Sequence, residues 1–437
     1  MTALADADVE IVKLARLLGT GAADLSFLRQ IEWRDLRDLR EQMTVVMFEN
    51  DRQMLQRVAA TTRLVPPKIT AAIGERAFGP LLCARVAGLL DPSRGVDIIG
   101  HLPTPFLADV AGLLDPRRAS RLIAEIPAPR IAAITSELAA RGDHVTMGGF
   151  VGHLSERALQ AALDAVDDET LLNTAFVVES KSSLGALVAI ISEERLQEIM
   201  RTATAADLWR EALDVLRHVS DRQRGLLGDI AAAQDDDVLA GLVRAAQRDG
   251  LWPDVLAVTR AMSPAARARF AKLKPIQTRP VLASIVDAAS QRGLWAELLT
   301  LLPLLPAASR RRVAALGTGF GRSILAQIMV TAHREQLWAP LMRFAAELEA
   351  RTQKEVAALA AALDDDVLGG LLDTVAEEGL HAELVTIAGR LGPKDCRLLA
   401  ARLVELADDD EVLAALAAAA AEAQLPVLLK ALSAVSA

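Results

Sequence analysis

The sequence predicts an all-α protein: a right-handed α-solenoid of helical repeats preceded by a long-helix region. Three observations carry that expectation. Strand-favouring residues are scarce, with no tyrosine and only 3% aromatics, while the strong helix formers alanine and leucine dominate. Four of the five tryptophans, Trp209, Trp252, Trp295 and Trp338, stand at intervals of 43 residues. Upstream, a shorter phrase returns after 24 residues.

The chain opens "MTALADADVEIVKLARLLG", with acidic residues before any apolar run and no basic leader, so a signal peptide is not expected. No stretch approaches about 18 uncharged apolar residues, so membrane insertion is not expected either, and the expected location is cytoplasmic. Past "LGTGAAD" a long helical segment is predicted from about Leu25 to Val65, stopped by Pro66 and Pro67. In it Leu36, Leu39, Met43 and Val46 alternate at spacings of three and four, with Asn50 next in line. Two readings fit: a coiled-coil seam with a register-setting asparagine, giving a homo-oligomer through residues 25–65, or packing against the rest of the chain. Residues 1–65 form the first expected region.

Residues 66–193 carry the tighter rhythm. "VAGLLDPSRGVDIIGHLPTPFL" is followed by "VAGLLDPRRASRLIAEIPAPRI", placing Val86 opposite Val110 and Asp91 opposite Asp115. Each half has an Asp-Pro helix start and a second proline-marked start near Pro103 or Pro127, so short helices alternate with tight turns. The stretch "LLDPRRASRLIAEIPAPRIAAITSEL", Leu113 to Leu138, resembles the N-terminal α-superhelix of MgtE-type magnesium transporters, which is also similar to flagellar motor switch repeats. The resemblance spans roughly residues 80–200. It implies a helical superhelix of the kind that helps those transporters sense magnesium. It implies no transport, because neither the transporters' regulatory domains nor their pore follows, and no acidic residue matches a metal ligand one by one.

Residues 194–437 carry the period of 43. "AAQRDGLWPDVL" (Ala245–Leu256) returns as "AASQRGLWAELL" (Ala288–Leu299), and the series continues to His381 and Pro426. Before each Leu-Trp lies an amphipathic segment such as "DVLAGLVRAAQRDG", whose Leu239, Leu242, Val243 and Ala246 share one face. Asp237, Pro280, Ser323, Asp366 and Asp410 mark helix starts, and Gly250, Gly293 and Gly379 mark helix ends. Two or three helices per unit is the HEAT or armadillo size class, although neither family's signature is present. The tryptophan is expected at the joint between neighbouring units, the alternative being an exposed aromatic row.

Candidate chemistry is sparse. A net charge of −9 and a pI near 5.4 argue against nucleic-acid binding. Cys83 and Cys396 are far apart and match no catalytic or disulfide pattern. The six histidines (101, 144, 153, 218, 333, 381) have no zinc-ligand spacing. Acid triplets at Asp235–Asp237, Asp364–Asp366 and Asp408–Asp410 suit helix starts, with divalent-cation binding as the alternative. "GTGFGRS" (Gly317–Ser323) offers backbone N–H groups to a phosphate but lacks the preceding strand and following lysine of a Walker loop. "DHVTMGGFVGH" (Asp143–His153) reads as a bend between short helices.

One surface feature stands out. Arg224, Arg267 and Arg310 are also 43 apart, and Lys354 and Arg397 nearly continue the series. In a solenoid these cations would line one ridge, either merely solvated or docking an acidic segment of a protein partner. The sequence therefore predicts a non-catalytic scaffold or adaptor without catalytic residues, metal site or cofactor. The alternative is a small-ligand or magnesium sensor. The arginine preference, with only eight lysines among 48 basic residues, fits GC-rich, bacterial coding.

Overall fold

A computed structural model describes residues 6–407 and 410–433. Every regular element among them is a helix or a single helical turn, and none is a strand. The chain divides into two compact units, Met1–Ser220 and Asp221–Ala437. The first unit thus holds residues 1–65 and 66–193 together with the start of the 194–437 segment.

The first unit opens with the helix Asp6–Leu18, which buries Ile11 and Leu14 against Leu36. The long segment expected from Leu25 begins later. Ala22–Gln30 is a run of 3-10 turns, Ile31 is extended, and the continuous helix is Trp33–Thr61. In the expected seam, Leu36 is buried and Met43 packs against the same cluster, whereas Leu39 and Val46 are exposed. The side chain of Asn50 lies outside the described residues.

Short helices follow in two rows. Gly79–Ala87, Thr104–Leu113, Ala128–Ala140 and Glu156–Asp164 pack successively, each on the next, as do Pro67–Ile73, Pro92–Ile99 and Ser120–Glu125. The two Asp-Pro starts differ. Asp91 caps its helix by accepting from the Arg94 N–H, but Asp115 accepts from the Arg117 N–H two residues on, a tight turn that delays the helix to Ser120.

Arginines at the third position of three helices tie each one to an earlier helix end. Arg94 donates to the Thr62 carbonyl (2.7 Å) and the Val65 carbonyl. Arg130 likewise reaches Ile99 (3.1 Å) and Leu102. Arg195 reaches Leu163 and Val166, both at 2.9 Å. A helix end leaves its last carbonyls without intrahelical donors, and a forked guanidinium can satisfy two of them at once.

In the second unit, each of Trp252–Ala261, Trp295–Leu301 and Trp338–Glu347 begins at its tryptophan, as Trp209–Arg217 does in the first. All four indoles are at most 5% exposed. The preceding helix always ends in a left-handed residue: Gly250, Gly293 and Gly379, but also Asp207, Gln336 and Gln424, at φ of +54° to +70°. At all six ends the following leucine N–H closes the helix, as Leu337 does onto Ala332 (2.7 Å) and Leu251 onto Ala246 (3.0 Å). Helices of this unit pack on those two places further along: Trp252–Ala261 on Arg279–Arg292, that on Ala307–Leu316, and that on Trp338–Glu347.

Candidate functional site

The basic column is largely consumed by the fold. Arg267 is half-buried and donates to the carbonyls of Thr259 (2.9 Å), Arg260 and Met262 (both 3.0 Å), closing the end of the preceding helix. Arg310 donates to the Leu305 carbonyl and to Glu347, both at 2.9 Å. Arg224 pairs with Asp221 (2.6 Å). The position 43 beyond Arg310 is Gln353, 2% exposed, which donates to the Ala346 carbonyl (2.8 Å) and so does the same work without charge. Lys354 and Arg397 are exposed.

The other candidates resolve into local structure. Asp235 and Asp364 precede helices Asp236–Asp249 and Asp365–Glu378 at their N-cap positions, where neither side chain makes a capping hydrogen bond, and Asp365 pairs with Arg402 (2.5 Å). Asp408 and Asp409 lie outside the described residues. In the Gly317–Ser323 loop, Phe320 packs edge-on against Trp295 at 5.6 Å. Among the described residues no group of His, Cys, Asp and Glu is arranged to hold a metal ion. No helix among them is long and apolar enough to cross a membrane.

What the structure does assemble lies in the first unit. A cavity of about 280 Å3 runs between the two rows of short helices, from Val58 to Leu187. Its wall is almost entirely apolar, and Leu82, Leu90, Ile99, Val110, Ile134 and Phe150 face it half-buried. Native cores pack to crystal-like density with few voids larger than a water molecule, so this space exceeds a packing defect. Cys83 borders it, and burial pushes its thiol pKa up, which keeps it protonated and unreactive.

Beside it lies a second, more polar cavity of about 270 Å3. Among the described residues, Lys13, Arg16, Arg40, Arg85, Arg117 and Arg118 line it with three carboxylates, Glu41, Asp115 and Glu179. Part of this charge belongs to a dense ionic cluster. Glu10, 4% exposed, takes Lys13 at 3.2 Å and Arg40 at 2.9 Å. Glu179 takes Arg40 at 2.7 Å, Arg117 at 3.0 Å and Arg37 at 3.4 Å. Glu41 takes Arg117 at 2.6 Å.

Burial alone would raise the Glu179 carboxyl, but Lys13, Arg40 and Arg117 outweigh it and hold the pKa at about 2. The hydrogen bond from Arg117 likewise holds Glu41 below its ordinary value. For Lys13 burial wins, lowering its pKa despite Glu179 and Glu10. Next to the cluster, Arg16 bonds Asp143 and Thr146, both at 2.7 Å.

The segment Asp143–His153, read from sequence as a bend, positions both cavities. Asp143 caps the helix His144–Phe150, and a side chain at Gly148 would come within 2.9 Å of the Val177 carbonyl. Only glycine allows that approach. It seats Phe150, which lines both spaces together with Ala111 and Leu114. The paired glycines Gly148 and Gly149 were the available signal for this close contact. No known protein-family model matches the chain, and no curated protein matches it either, so a reading of its role rests on this geometry.

Proposed function

We propose that this chain is a non-catalytic binding protein of α-solenoid architecture whose first unit takes a small apolar ligand. The apolar cavity carries the reading: it is a partly open space walled by helices, of a size that accommodates a small molecule, and rimmed by a few polar groups. The solenoid arrangement is supported by the next-but-one packing and by the equivalent placement of the tryptophans in the second unit. The resemblance of residues 80–200 to a magnesium-sensing superhelix adds support for a regulatory binding role over a chemical one.

The test is titration of the full chain with the neutral fluorophore N-phenyl-1-naphthylamine. The reading requires saturable binding at about one molecule per chain, lost in Val110→Trp, which fills the cavity. Fluorescence that rises without saturating, or that ignores the substitution, contradicts it.

A second reading, docking of an acidic segment of a protein partner, is favoured by Lys354 and Arg397, the members of the basic column that remain exposed. Reversing both to glutamate should abolish recovery of the partner in affinity purification. Unchanged recovery would remove this reading.

A further inference from the structure

The two cavities of the first unit sit on opposite sides of one thin partition. The helix Gly79–Ala87 turns Leu82, Cys83 and Val86 to the apolar space and Leu81, Ala84 and Arg85 to the polar one. Thr104–Leu113 does the same with Val110 on one side and Gly112 and Leu113 on the other. An apolar space against a cationic one is the complement of a molecule with an anionic end and a hydrocarbon tail. We propose that the ligand is an unesterified long-chain fatty acid, its tail between the helix rows and its carboxylate among Arg117, Arg118 and Lys13. This rests on the apolar cavity being a binding site.

Two features favour that occupant. At about 280 Å3 the apolar space falls just below the usual range of ligand sites and suits one chain, which disfavours two-tailed lipids. Among the described residues, the lining of the polar cavity carries six cations and three carboxylates, a predominance that suits an anionic head. Guanidinium forks match a carboxylate with two parallel hydrogen bonds. Val45, Leu81 and Leu113, 50%, 51% and 39% exposed, border the polar cavity and provide an apolar path past the head group. Phe150, half-buried, lines both spaces together with Ala111 and Leu114, so the two cavities share a wall at this side chain.

The experiment is displacement of N-phenyl-1-naphthylamine from the full chain by hexadecanoate, hexadecanol and hexadecyl phosphate, each below its aggregation concentration. Hexadecanoate should bind at least about tenfold more tightly than hexadecanol, as expected for charge-assisted hydrogen bonds, and no more weakly than hexadecyl phosphate. Arg117→Gln should erase most of that preference while leaving hexadecanol unchanged. The unchanged alcohol affinity reports intact folding, and if Arg117→Gln loses it, Arg118→Gln makes the same comparison. Equal binding of acid and alcohol overturns the head-group assignment but leaves the cavity reading standing. Tenfold tighter binding of hexadecyl phosphate overturns the fatty-acid assignment. Failure of all three ligands to displace bound fluorophore overturns the assignment of a single-tailed ligand, whereas absence of saturable fluorophore binding overturns the cavity reading itself.

Discussion

Glu179→Gln removes the carboxylate on which Arg37, Arg40 and Arg117 converge. The Glu179 side chain is 16% exposed, so solvent screens it little. Its pKa is about 2, against an ordinary 4.5, a gap that corresponds to about 3 kcal/mol of folding free energy. The folded-state pKa is the lower one. The contribution is therefore complete above about pH 4.5 and is lost as pH falls towards 2. The assay is urea titration read by pulsed hydrogen exchange on peptides from residues 6–61, which lie wholly in the first unit. At pH 7 the variant should be destabilised by about 3 kcal/mol, and its difference from the parent should shrink steadily below pH 4.5. A difference that is absent at pH 7, or equally large at pH 2.5, would refute the view that cation pairing of an ionised Glu179 holds these helices together.

Further outcomes follow from other contacts. Gln336 sits at φ +56° where equivalent helix ends have glycine, so Gln336→Gly should stabilise the second unit by about 1 kcal/mol and Gly293→Ala should weaken it by a similar amount in urea denaturation. Arg130→Lys keeps the charge but loses the fork that serves the Ile99 and Leu102 carbonyls. It should cost about 1.5–3 kcal/mol, seen as faster exchange of peptides around residues 92–113. If the exposed Leu39 and Val46 pair two chains, Leu39→Glu with Val46→Glu should convert a dimer to a monomer in sedimentation velocity. A parent that is already monomeric would dismiss that pairing.

The parts of this fold that sequence exposes are those where one residue type has one local task. Glycine at positions 250, 293 and 379 marked left-handed helix ends, and those are the conformations found. Asp207, Gln336 and Gln424 occupy the same slot, but nothing in their side chains announces it. Periodicity indicated equivalence without indicating what the equivalent residues do. Arg267 and Arg310 are spaced like a surface ridge because both close a helix end, a task that Gln353 performs while buried. The candidate site was hidden for a different reason. Its apolar wall is made of the same leucines, isoleucines and valines that fill any core, so sequence cannot separate a lining residue such as Ile134 from a filled one such as Ile11. The cationic wall gathers Lys13, Arg40 and Arg117 from three separate helices or turns, and only the fold brings them to Glu179.

The most direct test of a ligand held between the helix rows of the first unit is photolabelling of the full chain with a hexadecanoate carrying a diazirine midway along its tail. Mass spectrometry should place the adducts on cavity-facing residues such as Leu82, Val110 and Ile134. Adducts scattered instead over exposed apolar side chains such as Phe27, Leu39 and Leu64 would contradict it.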